Sequence, residues 1–122
     1  MAQRYGSTGG SGAVGWLFQR ISGLVLVVLV IAHYILMHLP ADPARGHTFQ
    51  AVYQALTGPY GAWWKALDLS MLTLALWHGI NGTWAVVRDY APKPFWQWTA
   101  LGGLVTLGLI FGAMGFATIL SF

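Results

Sequence analysis

The residues best suited to carry chemistry lie in residues 78–90, at the end of an apolar run that begins at Leu69. His78 opens this stretch, so its imidazole lies deep in a predicted membrane helix, where an ionisable residue marks a candidate functional site. The ten steps from His78 to Arg88 place the ring ~15 Å below the interface, about halfway through a ~30 Å hydrocarbon layer. Gly82, one turn from His78 on the same face, leaves room for a flat ligand held edge-on. We therefore predict a buried redox cofactor, and haem has the required shape.

The composition is that of a membrane protein. Of the 122 residues, 57% are hydrophobic and only 7% are charged. A soluble domain of this length carries about 25% charged residues. We therefore expect the lipid bilayer, and not water, to surround most of the chain.

Several classes of site are excluded by residue usage. The chain has no cysteine, which excludes thiolate zinc sites, iron–sulfur clusters, covalent c-type haem and a cysteine nucleophile. Its three acidic residues, Asp42, Asp68 and Asp89, are scattered, which disfavours a carboxylate-pair active site, and we predict no catalytic residue. The net charge of +3 comes from six cations near predicted helix ends, a topology signal that predicts no nucleic-acid partner.

The sequence predicts an all-α fold with three transmembrane helices. Residues 1–15 are rich in glycine and serine and are predicted to form a flexible leader, which is not a secretory signal, and residues 16–122 form the anchor domain. The first helix is expected from Trp16 to before Pro40, the second over residues 62–87 and the third over residues 95–122.

The connections between these helices carry their own signals. Residues 41–60 form a polar connection that holds a short interfacial helix at 49–56. Residues 89–93 form a tight turn, which makes the second and third helices antiparallel neighbours. Lys65 and Asp68 are spaced to pair at the interface. In the third helix, Gly108 and Gly112 are spaced for a packing contact.

The distribution of cations predicts the orientation of the chain. Four cations would share one side of the bilayer and two the other, which places the N-terminus in the cytoplasm. The four are Arg4, Arg20, Arg88 and Lys93, and the two are Arg45 and Lys65. A belt of Trp16, Trp96 and Trp98 lies on the same inner side.

Three motifs in order carry a resemblance to a known family. They are Gln-Arg-Ile-Ser-Gly at residues 19–23, His-Gly-Ile-Asn-Gly at 78–82 and Arg-Asp-Tyr at 88–90. Together with three helices in matching order, they resemble the small membrane-anchor subunit of succinate dehydrogenase, respiratory complex II. The closest resemblance is to the D-type subunit of enzymes that have two separate anchor polypeptides.

The resemblance implies a subunit of an enzyme of the tricarboxylic acid cycle, without a catalytic centre for succinate. In that family a flavoprotein subunit oxidises succinate and an iron–sulfur subunit relays electrons. The chain and a second membrane-anchor subunit would hold haem b and reduce a quinone at the cell inner membrane. His78 matches the family's axial haem ligand and Tyr90 its quinone-contacting tyrosine. Arg20 and Ser22 match positions that face haem propionates or the quinone pocket.

Plainer roles remain open for several of these residues. His33 lies ~20 Å below the inner interface, where it either ligates a second haem, as in members with two haems, or only packs. Arg20 is either a positive-inside anchor or a bidentate partner of a propionate. Tyr90 is either an interfacial belt residue or a quinone contact. Asp89 and Arg88 form a surface pair or assist the quinone site.

Two alternatives to the haem-binding anchor remain open for the whole chain. One is a structural anchor of the same complex that has no haem, in which His78 only packs. The other is a small multispan transporter, which needs a charge or carboxylate within the membrane for coupling. By sequence, the only ionisable residues expected in the helix interiors are histidines, and this disfavours the transporter.

Overall fold

The computed structural model describes residues 12–38 and 48–122, and every regular element in those ranges is an α-helix. The helices are α1 (Ala13–His38), α2 (Phe49–Thr57), α3 (Gly61–Tyr90) and α4 (Pro94–Leu120). The predicted all-α class is confirmed. The predictions for Arg4, Asp42, Arg45 and most of the leader concern residues that lie outside the described ranges.

Helix α3 lies at the centre, with α1 and α4 both packed against it. Polar contacts join α1 to α3 at three levels, and residue numbers rise along α1 as they fall along α3, so the two helices are antiparallel. The contacts are Gln19 with Asn81, Ser22 with His78 and His33 with Asp68.

Glycines of α4 allow its backbone to approach α3 closely. A Cβ atom at Gly112 would lie 3.1 Å from Leu76 Cδ1, and one at Gly115 would lie 2.6 Å from Leu72 Cδ2. Gly108 meets Ile80 in the same way. Side chains of α3 thus fill the spaces that the glycines leave, which confirms the predicted packing role of Gly108 and Gly112.

The short helix α2 closes the end of the bundle where α4 finishes. Thr48 caps α2, because its Oγ1 accepts a hydrogen bond of 3.2 Å from the Ala51 backbone N–H. The rings of Phe49 and Tyr53 lie 6.2 and 6.0 Å from the ring of Phe122. The predicted short helix is confirmed, and it ends one residue later than expected.

The connection between α3 and α4 is shorter than the sequence predicted. Asp89 and Tyr90 belong to the last turn of α3, and the Ala91 N–H still bonds to the Val87 carbonyl at 2.8 Å. The helix ends at Tyr90 because Pro92 disfavours the helical conformation at Ala91. The prediction of a turn beginning at residue 89 was therefore wrong by two residues.

Two of the helices, α1 and α4, are long and apolar enough to cross a bilayer, and only 6% of their most apolar stretches is buried. Helix α3 has 30 residues, which is long enough, but its polar side chains lower its apolar character. Several of these side chains point towards α1. The structure therefore supports two of the three predicted spans by composition, and the third depends on how α3 is shielded from lipid.

Candidate functional site

His78 of α3 faces α1 and meets Ser22 there. Ser22 Oγ lies 3.0 Å from His78 Nδ1 and 3.0 Å from the carbonyl oxygen of Gln19. The Ser22 side chain is only 2% exposed, so the contact is shielded from solvent. The motif at residues 19–23 and the histidine motif thus meet at one point between two helices.

Gly23 brings the backbone of α1 against the imidazole of His78. A Cβ atom at Gly23 would lie 2.9 Å from Cε1 of the ring and 3.6 Å from each ring nitrogen. Real Cβ atoms do not approach other atoms as closely as 2.9 Å, so any larger residue would displace the ring. Glycine at this position is therefore a condition for the observed orientation of His78.

Gln19 ties the same two helices together one turn closer to the start of α1. Its Nε2 donates a hydrogen bond of 3.1 Å to the His78 carbonyl oxygen, and its Oε1 accepts one of 2.7 Å from Asn81 Nδ2. A Cβ atom at Gly82 would lie 2.9 Å from this Nε2. The prediction that Gly82 makes room for a flat cofactor was wrong, because the Gln19 amide takes that space.

A polar cleft of about 350 Å³ opens between α1 and α3 beside this network. Two cations line it: the Arg20 guanidinium lies 4.0 Å from the ring centre of Trp16, and that of Arg88 lies 5.8 Å from the ring centre of Trp84. The remaining lining residues are Gly15, Trp16, Gln19, Asn81 and Ala85. Two guanidinium groups facing one cleft favour an anionic group between them.

Tyr90 lies at the end of α3 and stands apart from the cleft. Its side chain is 83% exposed, and it does not belong to the lining residues. Asp89 is exposed beside it. Of the three residues assigned to the quinone, the structure brings only Arg88 into the cleft with Arg20.

A second polar contact joins α1 and α3 towards the other end of the bundle. His33 Nδ1 lies 3.2 Å from Asp68 Oδ1, and both atoms are shielded from solvent. The pair borders an open cavity of about 530 Å³ between α1, α3 and α4, and Val30, Met71 and Ala75 are among its mainly apolar lining. The sequence analysis missed this pair.

The missed pair overturns two sequence predictions. Asp68 pairs with His33 and not with Lys65, and the interior of the bundle does contain a carboxylate. The spacing held a signal for this pair, since His33 lies eleven residues after Ser22 and Asp68 ten residues before His78. Both intervals are close to three helical turns, so in antiparallel helices the second pair must meet when the first does.

The described residues do not bring the two histidines together as ligands of one metal ion. Within residues 12–38 and 48–122, no group of three or more histidine, cysteine, aspartate or glutamate side chains is placed to hold a metal ion. His78 and His33 belong to separate levels of the bundle. Within the described residues, each histidine is therefore a single possible ligand at its own level.

The fold and the site define a helical membrane protein with a histidine-centred polar network. The chain belongs to the family of succinate dehydrogenase/fumarate reductase transmembrane subunits, whose model matches residues 3–119. This match confirms the resemblance drawn from the three motifs.

The chain is also similar to the succinate dehydrogenase hydrophobic membrane anchor subunit of Archaeoglobus fulgidus. The two are 30% identical over 76 residues, which cover 62% of this chain and 61% of the relative. The matched stretch therefore spans less than two thirds of that relative.

Proposed function

We propose that the chain is a membrane-anchor subunit of a succinate:quinone oxidoreductase. It would hold the flavoprotein and iron–sulfur subunits at the cell inner membrane together with a second anchor subunit. The family match and the two apolar helices α1 and α4 support this role. Helix α3 crosses the bilayer as the third span, because α1 and the partner subunits of the complex cover the polar side chains of α3.

The observation that carries a haem role is the environment of His78. Its Nδ1 contacts Ser22, and among the described residues its Nε2 has no hydrogen-bond partner. Metal-bound histidines have this arrangement, in which one ring nitrogen is held by an oxygen and the other binds the metal. His78 would therefore hold a haem b together with the second anchor subunit, and the haem would supply a one-electron carrier.

The cleft beside His78 suits the acidic edge of the same cofactor. Arg20 and Arg88 both face it, and each guanidinium can grip a carboxylate with two hydrogen bonds. The cleft lies on the side of His78 where α1 begins and α3 ends. Arg20 would thus hold a propionate, while Ser22, engaged with His78, acts on the ring and not on the propionate.

The quinone site would form around Tyr90 when the partner subunits cover it. The phenol can donate a hydrogen bond to a quinone carbonyl and favour the negative charge that arrives with electrons. Exposed Asp89 and the Arg88 side chain offer a polar route for the two protons that complete the quinol. Succinate chemistry itself belongs to the flavoprotein subunit.

The decisive experiment is a reduced-minus-oxidised visible spectrum of the purified complex that carries His78→Ala. We expect the haem signal to disappear or change, while succinate oxidation with a soluble dye stays near wild type. His38→Ala is the control, because His38 is exposed at the end of α1. A wild-type spectrum in an assembled His78→Ala complex would contradict haem ligation by His78 and leave it a packing residue.

The contact of His33 with Asp68 favours a second candidate, an anchor with two haems. A carboxylate on Nδ1 is a common support for a metal-binding histidine, and it leaves Nε2 of His33 for a metal. Loss of about half of the haem in His33→Ala would support two sites. Full haem content in that variant would limit the complex to the site at His78.

The transporter alternative now has a carboxylate within the bundle, Asp68, so the earlier objection to it no longer holds. The family match favours the anchor instead. Co-purification of the chain with succinate–dye activity separates the two. A chain that purifies alone, with transport activity in vesicles, would contradict the anchor.

The same proposal places the N-terminus in the cytoplasm. Arg20, Arg88 and Lys93 lie near the helix ends of the proposed inner side, where exposed Trp16, Trp96 and Trp98 also lie. A protease added to right-side-out vesicles of this membrane should leave an N-terminal tag uncut and remove a C-terminal tag. Cleavage of the N-terminal tag would reverse the orientation.

A further inference from the structure

Ser22 has two polar contacts but only one hydroxyl hydrogen, so it can donate a hydrogen bond in only one of them. The Gln19 carbonyl oxygen, 3.0 Å away, can only accept a hydrogen bond, whereas Nδ1 can donate or accept, so both contacts are hydrogen bonds only when the hydroxyl hydrogen points to the carbonyl. The oxygen of Ser22 is then left with lone pairs facing His78 Nδ1, also at 3.0 Å. If Nδ1 carried no hydrogen, the single hydroxyl hydrogen could serve only one of the two contacts, and the other would be left without a hydrogen bond in a place shielded from water.

We infer that Ser22 is a positioning residue that fixes the tautomer of His78, with the hydrogen on Nδ1 and the lone pair on Nε2. The inference concerns the chain itself, and its use in metal binding rests on the proposed haem role. A neutral imidazole binds a metal through a nitrogen that carries a lone pair. Ser22 thus presents the binding-competent nitrogen before any cofactor arrives.

Two neighbours of Ser22 complete the orientation. Gly23 lies against the ring, and its missing side chain leaves the space that the imidazole occupies. Gln19 binds the carbonyl of His78 and the side chain of Asn81, which fixes the height of α1 relative to α3. Ser22 thus determines which ring nitrogen carries the hydrogen, and Gly23 leaves room for the ring. Gln19 fixes the position of α1 along α3, so that Ser22 and Gly23 lie opposite His78.

An ordinary role for Ser22 is the main rival. Serine hydroxyls in helices often bond to a carbonyl of the preceding turn without further purpose. Ser70 of α3 does this, with its Oγ 2.6 Å from the Ala66 carbonyl oxygen in an exposed position. Ser70→Ala is therefore the matched control, because it removes the same kind of bond but touches no histidine.

The first experiment reads the tautomer in the full-length chain in detergent micelles. Isotope-labelled histidine gives the chemical shifts of both ring nitrogens, and His78→Gln identifies the His78 signals by their loss. We expect the hydrogen on Nδ1 in the wild type and in Ser70→Ala, and a mixture of tautomers in Ser22→Ala. A wild-type ring with hydrogen on Nε2 alone, or an unchanged ring in Ser22→Ala, would overturn the inference.

The second experiment measures haem retention in the assembled complex against a competing haem-binding protein. Loss of a residue that supports a metal ligand typically weakens metal binding ~10–100-fold, and we expect this in Ser22→Ala. Ser22→Thr should restore retention, because threonine can also bond to a carbonyl of the preceding turn. Wild-type retention in Ser22→Ala would contradict the positioning role.

The two experiments separate the failures of the two proposals. A wild-type complex without haem would refute the haem role but would leave the tautomer of His78 measurable in the chain. Conversely, a haem spectrum that depends on His78 but not on Ser22 would keep the haem role and refute the positioning role.

Discussion

The two polar contacts between α1 and α3 use the same ring atom with different partners. At His78, Nδ1 meets the neutral hydroxyl of Ser22 at 3.0 Å, and at His33 it meets the carboxylate of Asp68 at 3.2 Å. A carboxylate partner makes an imidazole a stronger electron donor than a neutral oxygen does. One helix pair thus contains two histidines with different electronic character.

Their surroundings differ as well. The His78 contact adjoins a polar cleft with two arginines, whereas the His33 contact adjoins a larger and mainly apolar cavity. The two levels lie ~15 Å apart along the helices, from the rise of 1.5 Å per residue. Arginines, which can bind an acidic group, line the cleft beside His78, whereas among the described residues none lines the cavity beside His33.

The largest expected effect is on quinone reduction, and it should differ between substitutions at the two ends of α3. Exposed tyrosines flank this helix, Tyr60 before its start and Tyr90 at its end. We expect Tyr90→Phe to lower quinone reductase turnover by roughly 10²–10³, because a charge-stabilising donor is lost. Tyr60→Phe is the control and should leave turnover unchanged, and both variants should keep wild-type haem content. Equal turnover in the two variants would assign no quinone role to the Tyr90 hydroxyl.

The next effect tests the close contact that only the His78 level has. Gly23→Ala places a methyl group against the imidazole, so we expect haem retention to fall ~10–100-fold as the ring shifts. Gly103→Ala is the matched control, because a Cβ atom there has no neighbour within 4 Å. Wild-type haem retention in Gly23→Ala would show that the His78 imidazole can move away from α1 without loss of haem.

The smallest effect concerns the His33 level. A double-mutant cycle of His33→Ala and Asp68→Ala, measured by unfolding of the complex in detergent, should give a coupling of about 0.5–3 kcal/mol. The pair Lys65 and Asp68, which the sequence favoured, serves as the comparison and should show no coupling. Coupling of Asp68 to Lys65 and not to His33 would contradict this contact and support the predicted pair of Lys65 and Asp68 at the membrane interface.

Sequence patterns predicted the features of this chain that depend on local residues. The helices, the short α2 and the packing glycines Gly108 and Gly112 follow from apolar length, capping and small-residue spacing. The importance of His78 followed from its depth and motif. The space beside Gly82 was assigned wrongly, because its occupant, Gln19, comes from another helix.

The pairing of His33 with Asp68 was missed for a related reason. In the sequence, each residue alone resembles an interfacial or packing side chain. They meet only because of how the antiparallel helices α1 and α3 are aligned along their length. The last turn of α3 was also underestimated, because prolines after Tyr90 suggested an earlier end. The polar contacts between α1 and α3, and not the helices themselves, were beyond the sequence patterns.

The antiparallel contacts restrict how the length of α1 can change. One residue inserted between Ser22 and His33 would rotate the rest of the helix by ~100°, so that His33 and Asp68 could no longer meet while Ser22 and His78 stayed together. An insertion of a full turn would restore the direction but move His33 by ~5.4 Å along the axis. Matching insertions in α1 and α3 would be needed to keep both contacts, so this segment should tolerate substitutions far better than insertions or deletions.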